Sequence, residues 1–136
     1  MVRREALNWL EEALMDLKRA DRALEWKDYA LSTFMSQQAC EKALKAAYLA
    51  LAKKMYPKTH DLTMLYEGVR ELLRFSSDLV EKLPEVSQYY VMARYPNAAL
   101  EIPSKSISRS QAERALNTAK KLVKLIEERI RGVGDP

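Results

Sequence analysis

Five leucines near the start of the chain, Leu7, Leu10, Leu14, Leu17 and Leu24, are spaced by threes, fours and one seven. That spacing lays one apolar stripe along an α-helix and cannot be one face of a strand, whose side chains alternate with period two. Ala6, Ala13 and Ala20 widen the stripe, so the first helix is expected over about residues 3–25. The same period recurs to the other end. Leu116, Leu122, Val123, Ile126 and Ile130 follow a capping box read at Ser110-Gln111-Ala112-Glu113, in which serine and glutamate side chains would satisfy free first-turn amides. Only three glycines occur, Gly68, Gly132 and Gly134, and no alternating β-branched run appears.

Between these ends, a second helix is expected from Asp28, as N-cap, to about Lys54. Ala30, Phe34, Leu44, Ala47 and Leu51 follow one face, and Leu31, Met35, Ala39, Ala46 and Leu49 follow another. A helix apolar on two faces is covered on two sides, so this helix is expected at the centre, or at a subunit interface as well. Pro57 blocks its continuation. Asp61 caps a further helix carrying Leu62, Leu65, Val69, Leu72 and Leu73. Ser76 or Ser77 starts a short turn, and Pro84 opens a short helix to about Met92. The segment "ARYPNAALEIPSKSIS" reads as the longest loop, of the kind that is functional or mobile. The expectation is one all-α domain over residues 1–136, an up-and-down antiparallel bundle of four main helices plus one short one.

Charge and composition narrow the function. The net charge is +4, with basic and acidic residues interspersed, which permits nucleic-acid contact without the concentrated patch of a dedicated binder. A lone Cys40 in an apolar helix forms no intrachain disulfide and reads as a buried, inert thiol of a reducing compartment. No run of apolar residues reaches membrane-span length, and the N-terminus lacks a secretory pattern, so a cytoplasmic protein is expected. One histidine and one cysteine make a metal site improbable, and no Gly-rich phosphate loop or nucleophile–base motif is present.

Three features carry polar chemistry. Gln38, Glu41, Lys42 and Lys45 stand at i, i+3, i+4 and i+7 of the second helix. They form either a solvated stripe with a Glu41–Lys45 pair or a covered strip that neighbours, a partner chain or a ligand must satisfy. Periodicity alone favours the solvated stripe; the two-sided apolar character of the helix, together with the resemblance drawn below, turns the reading to the covered strip. His60, just before the Asp61 cap, is either structural or a general base, the latter requiring an orienting group nearby. Arg94-Tyr95-Pro96 closes the short helix. Pro96 favours an extended Tyr95, and Arg94 offers a planar fork for carboxylate or phosphate, or else caps helix carbonyls. Trp9 and Trp26 read as core or interface anchors.

In order along the chain, "MDLKRADRAL", "WKDYALSTF", "SQQACEKALKAAYLA", "THDL" and "ARYP" resemble the HEPN domain, named from higher eukaryotes and prokaryotes and nucleotide binding. The resemblance covers nearly the whole chain. It implies a bundle of four to five helices, commonly a homodimer, often encoded beside or fused to a minimal nucleotidyltransferase. It implies nucleotide or nucleic-acid contact through Gln38, Glu41, Lys42, Lys45, His60, Arg94 and Tyr95. The ribonuclease members carry Arg followed by His after four to six residues. Here Arg94 is followed at those offsets by Ala99, Leu100 and Glu101, and His60 is preceded by Lys53, Lys54 and Met55. The expected function is therefore a non-catalytic, nucleotide-binding partner of a minimal nucleotidyltransferase in a toxin–antitoxin-like system, with no cofactor, no metal and no catalytic residue. The alternatives are a metal-independent ribonuclease toxin and a plain helical interaction module.

Overall fold

The computed structural model describes residues 2–95 and 102–133. All regular elements among them are helical: α1 (Val2–Glu25), α2 (Tyr29–Ala47), α3 (Leu62–Glu67), α4 (Arg70–Leu73), α5 (Ser77–Ser87), α6 (Tyr89–Met92), α7 (Pro103–Ser106) and α8 (Arg109–Val133). A π-helical turn, Tyr48–Ala52, continues α2. The fold is the expected all-α bundle, with α1, α2, α5 and α8 as its long members.

Helix α2 is the central element, contacting α1, α3, α5, α6, α7 and α8. Its buried positions run around the helix and are mostly small: Ala30, Ser32, Thr33, Ser36, Ala39, Cys40, Ala43, Ala46 and Ala47, with Leu44 as the large apolar one. Small side chains let neighbouring helices approach closely. Ser32 Oγ donates across the α1–α2 seam to the Ala20 carbonyl at 2.8 Å, which satisfies a buried hydroxyl. Leu10 of α1, Leu65 of α3, Leu83 of α5 and Leu122, Ile126 and Ile130 of α8 join the same continuous core. Cys40 is fully buried, and burial pushes its thiol up, out of the reactive range.

The caps explain several boundaries. Asp28 accepts from the Leu31 amide at 3.1 Å, and Asp61 accepts from Thr63 and Met64 at 2.9 and 3.3 Å. At the end of α1 the Asp28 amide reaches Ala23 O and the Lys27 amide reaches Leu24 O, a Schellman closure with Lys27 at φ 63°. A β-carbon is strained there, so Lys27→Gly is expected to raise stability by about 0.5–1 kcal/mol, read as a higher midpoint in urea unfolding.

Three boundaries differ from the sequence expectation. The helix expected over Leu62–Leu73 is broken into α3 and α4, because the chain tightens at Gly68. The Val69 amide bonds Tyr66 O rather than continuing the α pattern, and the Tyr48 hydroxyl takes the freed Leu65 carbonyl at 2.8 Å. Pro84 does not open a helix but lies inside α5, which starts at the Ser76 cap, with Ser76 Oγ accepting from the Leu79 amide at 3.2 Å. The core anchors Leu79, Leu83 and Val86 outweigh the missing proline donor. The capping box sits two residues earlier than Ser110. Ser108 Oγ accepts from the Gln111 amide at 3.1 Å, and Gln111 Oε1 accepts from the Ser108 amide at 2.8 Å. Of the expected loop, Pro103–Ser106 forms α7, while residues 96–101 lie outside the described residues.

Candidate functional site

Glu41 is the centre of a polar cluster inside the bundle. It is 4% exposed, and Gln37, one turn before it, is 0% exposed. Glu41 Oε1 accepts from Gln37 Nε2 at 3.2 Å and Gln38 Nε2 at 3.4 Å, and lies 3.0 Å from His60 Nδ1. Its Oε2 accepts from Lys45 Nζ at 2.8 Å. Gln37 Nε2 also donates to the His60 carbonyl at 2.9 Å, which ties the loop before α3 to the central helix. A buried carboxylate needs such a full set of donors.

The two basic partners of Glu41 differ in access. The Lys45 ammonium sits 5.3 Å from the Trp9 ring centroid and 5.0 Å from that of Tyr56, and its side chain is 12% exposed. It is boxed by a carboxylate and two aromatic faces. The His60 side chain is half-exposed. A carboxylate opposite Nδ1 makes that nitrogen the N–H donor, and in the neutral ring Nε2 then carries the lone pair.

His60 stacks on Tyr90 of α6, with ring centroids 3.7 Å apart and planes 11° from parallel. The Arg94 guanidinium lies 4.8 Å from the Tyr90 centroid, 5.3 Å from Phe34 and 5.0 Å from Tyr95. Tyr90 thus links the imidazole to the guanidinium. Beside them opens a groove of about 430 Å³ lined by His60, Asp61, Thr63, Pro84, Ser87, Gln88, Tyr90 and Val91. Ser87 Oγ accepts from the Leu62 amide at 3.0 Å, so its own proton is free to donate.

Of the residues singled out in the sequence, Gln38, Glu41, Lys45 and His60 meet directly, while Arg94 joins through Tyr90 and Tyr95 through Arg94. Lys42 does not join them. It faces α1, where its ammonium lies 2.7 Å from Asp16 Oδ2 and 3.9 Å from Glu12. Asp16 is 1% exposed and also accepts from Arg19 at 2.6 Å, a bond that raises the Arg19 pKa. Gln37, Tyr90 and Asp16 were missed as site residues. The i, i+4 spacings of Gln37 to Glu41 and of Tyr90 to Arg94 were signals for the first two. Asp16 had no such signal, since its partner Lys42 is on another helix.

Among the described residues no group of three or more His, Cys, Asp or Glu is placed to hold a metal ion. None of the described helices is long and apolar enough to cross a membrane. The exposed Trp26 borders a second, apolar groove of about 490 Å³ with Arg19, Arg22, Ala23, Asp28 and Leu31. Trp9 instead packs edge-on against Tyr56, at 5.6 Å and 81°.

Solved structures similar to this chain cover nearly all of it. The chain is 35% identical to TT1696 from Thermus thermophilus, with a TM-score of 0.82 over 92% of this chain and 98% of that one. It is 23% identical to ST0689, an archaeal HEPN homologue, with a TM-score of 0.76 over 93% and 98%. A HEPN domain protein from Thermotoga maritima, tm0613, is 24% identical with a TM-score of 0.69 over 89% and 95%. These last two show likeness of fold. No curated protein sequence matches the chain significantly. The HEPN domain family model matches residues 6–129, nearly the whole bundle and every residue of the Glu41–His60–Arg94 cluster. The chain belongs to the HEPN domain family.

Proposed function

We propose that the groove beside His60, Tyr90 and Arg94 binds a nucleotide, either free or as a unit of RNA. In this reading the chain is a non-catalytic cytoplasmic homodimer that acts with a minimal nucleotidyltransferase in a toxin–antitoxin-like pair. The observation that carries the nucleotide part is the joined His60–Tyr90–Arg94 stack, of which His60 and Tyr90 line the groove. Aromatic faces accept a base by stacking, and a guanidinium accepts a phosphate through paired N–H donors. Thr63, Ser87 and Gln88 add neutral hydrogen-bonding groups suited to a base edge or sugar. The nucleotidyltransferase partner and the dimer are proposed by analogy with the family, and the sequence contains no Arg followed by His at the ribonuclease spacing.

Calorimetric titration with purine and pyrimidine nucleotides tests the binding. The expected result is saturable binding that weakens about tenfold or more in Arg94→Ala, the scale of one lost charge-assisted contact. Absence of binding at millimolar nucleotide would overturn the reading.

One observation favours a second reading, metal-independent RNA cleavage. The Glu41 carboxylate holds His60 Nδ1 at 3.0 Å, which orients the imidazole and leaves Nε2 as an available base. Nε2 would take the 2′-hydroxyl proton as that oxygen attacks phosphorus, and the 5′-oxygen would leave with a proton returned from the imidazolium or from water, giving a 2′,3′-cyclic phosphate and a 5′-hydroxyl. Arg94 would stabilise the extra charge on the phosphorane. Cleavage of RNA by the wild type but not by His60→Ala would establish this reading. Equal activity in both would exclude it.

A further inference from the structure

We infer, on the premise that the groove holds a nucleotide, that it accommodates one phosphoryl group and does not select for a di- or triphosphate. Nucleotide sites that grip polyphosphates bring several cations and backbone amides to successive phosphates. The cations here are otherwise committed. Lys45 is bonded to Glu41 at 2.8 Å and enclosed by Trp9 and Tyr56. Lys42 is drawn to α1 by Asp16 at 2.7 Å. Neither Lys58, exposed and two residues before His60, nor Arg94 lines the groove, but Arg94 lies against Tyr90 of its wall, whereas among the described residues no bond or ring contact joins Lys58 to a lining residue.

Arg94 is left. Its interactions among the described residues are with the faces of Phe34, Tyr90 and Tyr95, with no carboxylate partner. A guanidinium lying against rings keeps its N–H edge free for two oxygens of one phosphate. The groove wall itself repels further negative charge, because Asp61 lines it. Asp61 Oδ1 is occupied by the first amides of α3, and the carboxylate as a whole suits sugar hydroxyls, which donate, better than phosphate oxygens, which do not. One phosphate at Arg94 with base and sugar along His60, Tyr90 and the groove describes either a nucleoside monophosphate or one phosphodiester unit of a chain.

Calorimetry in magnesium-free buffer with nucleoside, monophosphate, diphosphate and triphosphate, in the adenine, guanine, cytosine and uracil series, tests this. The expected order in the best-binding series is a monophosphate at least about tenfold tighter than its nucleoside. The di- and triphosphate should fall within about threefold of the monophosphate, since no second cation awaits them. Arg94→Ala, whose side chain packs on the faces of Phe34, Tyr90 and Tyr95 rather than in the core, should erase the advantage of monophosphate over nucleoside while the nucleoside still binds. A dinucleoside monophosphate as tight as the mononucleotide would mark the phosphodiester as the source, and a weaker one the free monoester. A triphosphate more than about tenfold tighter than the monophosphate would overturn the inference while leaving nucleotide binding standing. So would an unchanged monophosphate-to-nucleoside ratio in Arg94→Ala. Failure of every nucleoside and nucleotide to bind would instead remove the nucleotide reading on which the inference rests.

Discussion

Replacing Glu41 with alanine is expected to lower stability by about 3 kcal/mol, the lower end of the range for deleting one partner of a buried ion pair. The carboxylate is 4% exposed and receives bonds from Gln37, Gln38 and Lys45 while facing His60 Nδ1. Its removal leaves the Lys45 ammonium, 12% exposed, with only the faces of Trp9 and Tyr56. Those faces and the access of His60 to water moderate the loss. Glu41→Gln should cost less, about 1–2 kcal/mol, because it retains an acceptor but discards the charge. Urea unfolding of both variants measures the difference. Glu41→Ala should also loosen the His60 ring, because the acceptor facing its Nδ1 is gone, so nitrogen-15 spectra of the neutral imidazole should move from one tautomer to a mixture. Stability unchanged within about 0.5 kcal/mol of wild type would mean the cluster is solvated rather than buried.

A second large effect is expected at Gly68. A β-carbon built there falls on the Tyr48 hydroxyl, and Tyr48 Cζ would be 2.7 Å away. Tyr48 is 3% exposed, with its hydroxyl fixed on the Leu65 carbonyl, so it has little room to give. Burial also pushes the Tyr48 pKa up, consistent with a hydroxyl that stays neutral and bonded. Gly68→Ala is therefore expected to cost about 2–3 kcal/mol by overpacking. Tyr48→Phe in the same chain should recover only part of that cost, since the ring remains. A neutral Gly68→Ala would mean that the joint between α3 and α4 shifts freely, contrary to the packing at Tyr48.

The bundle itself was legible wherever a helix carries its own pattern. The threes and fours of α1 and α8 need one buried stripe each, and the two apolar faces of α2 need a central position. Asp28 and Asp61 act as caps because a short acceptor before a helix meets free amides a few atoms away. What escaped was decided by partners distant in sequence. The break at Gly68 depends on Tyr48, twenty residues earlier. Ser108-x-x-Gln111 and Ser110-x-x-Glu113 both fit the capping pattern, and only the path of the preceding chain selects the first.

The site divided in the same way. Spacing placed Lys42 beside Glu41 and Lys45 on one face, yet one residue is a turn of about 100° around a helix. That rotation carries Lys42 to Asp16 on α1 and leaves Glu41 facing His60. His60 and Arg94 stand thirty-four positions apart, and it is Tyr90, four residues before Arg94, that brings them into one stack.

The central claim is that a nucleotide seats against His60, Tyr90 and Arg94. A two-dimensional amide spectrum of the full chain, assigned and titrated with adenosine, guanosine, cytidine and uridine monophosphates, tests it most directly. Saturable shifts concentrated at His60, Thr63, Gln88, Tyr90 and Arg94 are predicted for at least one of the four. No shifts with any of them, or shifts confined to the second groove at Arg22 and Trp26, would contradict it.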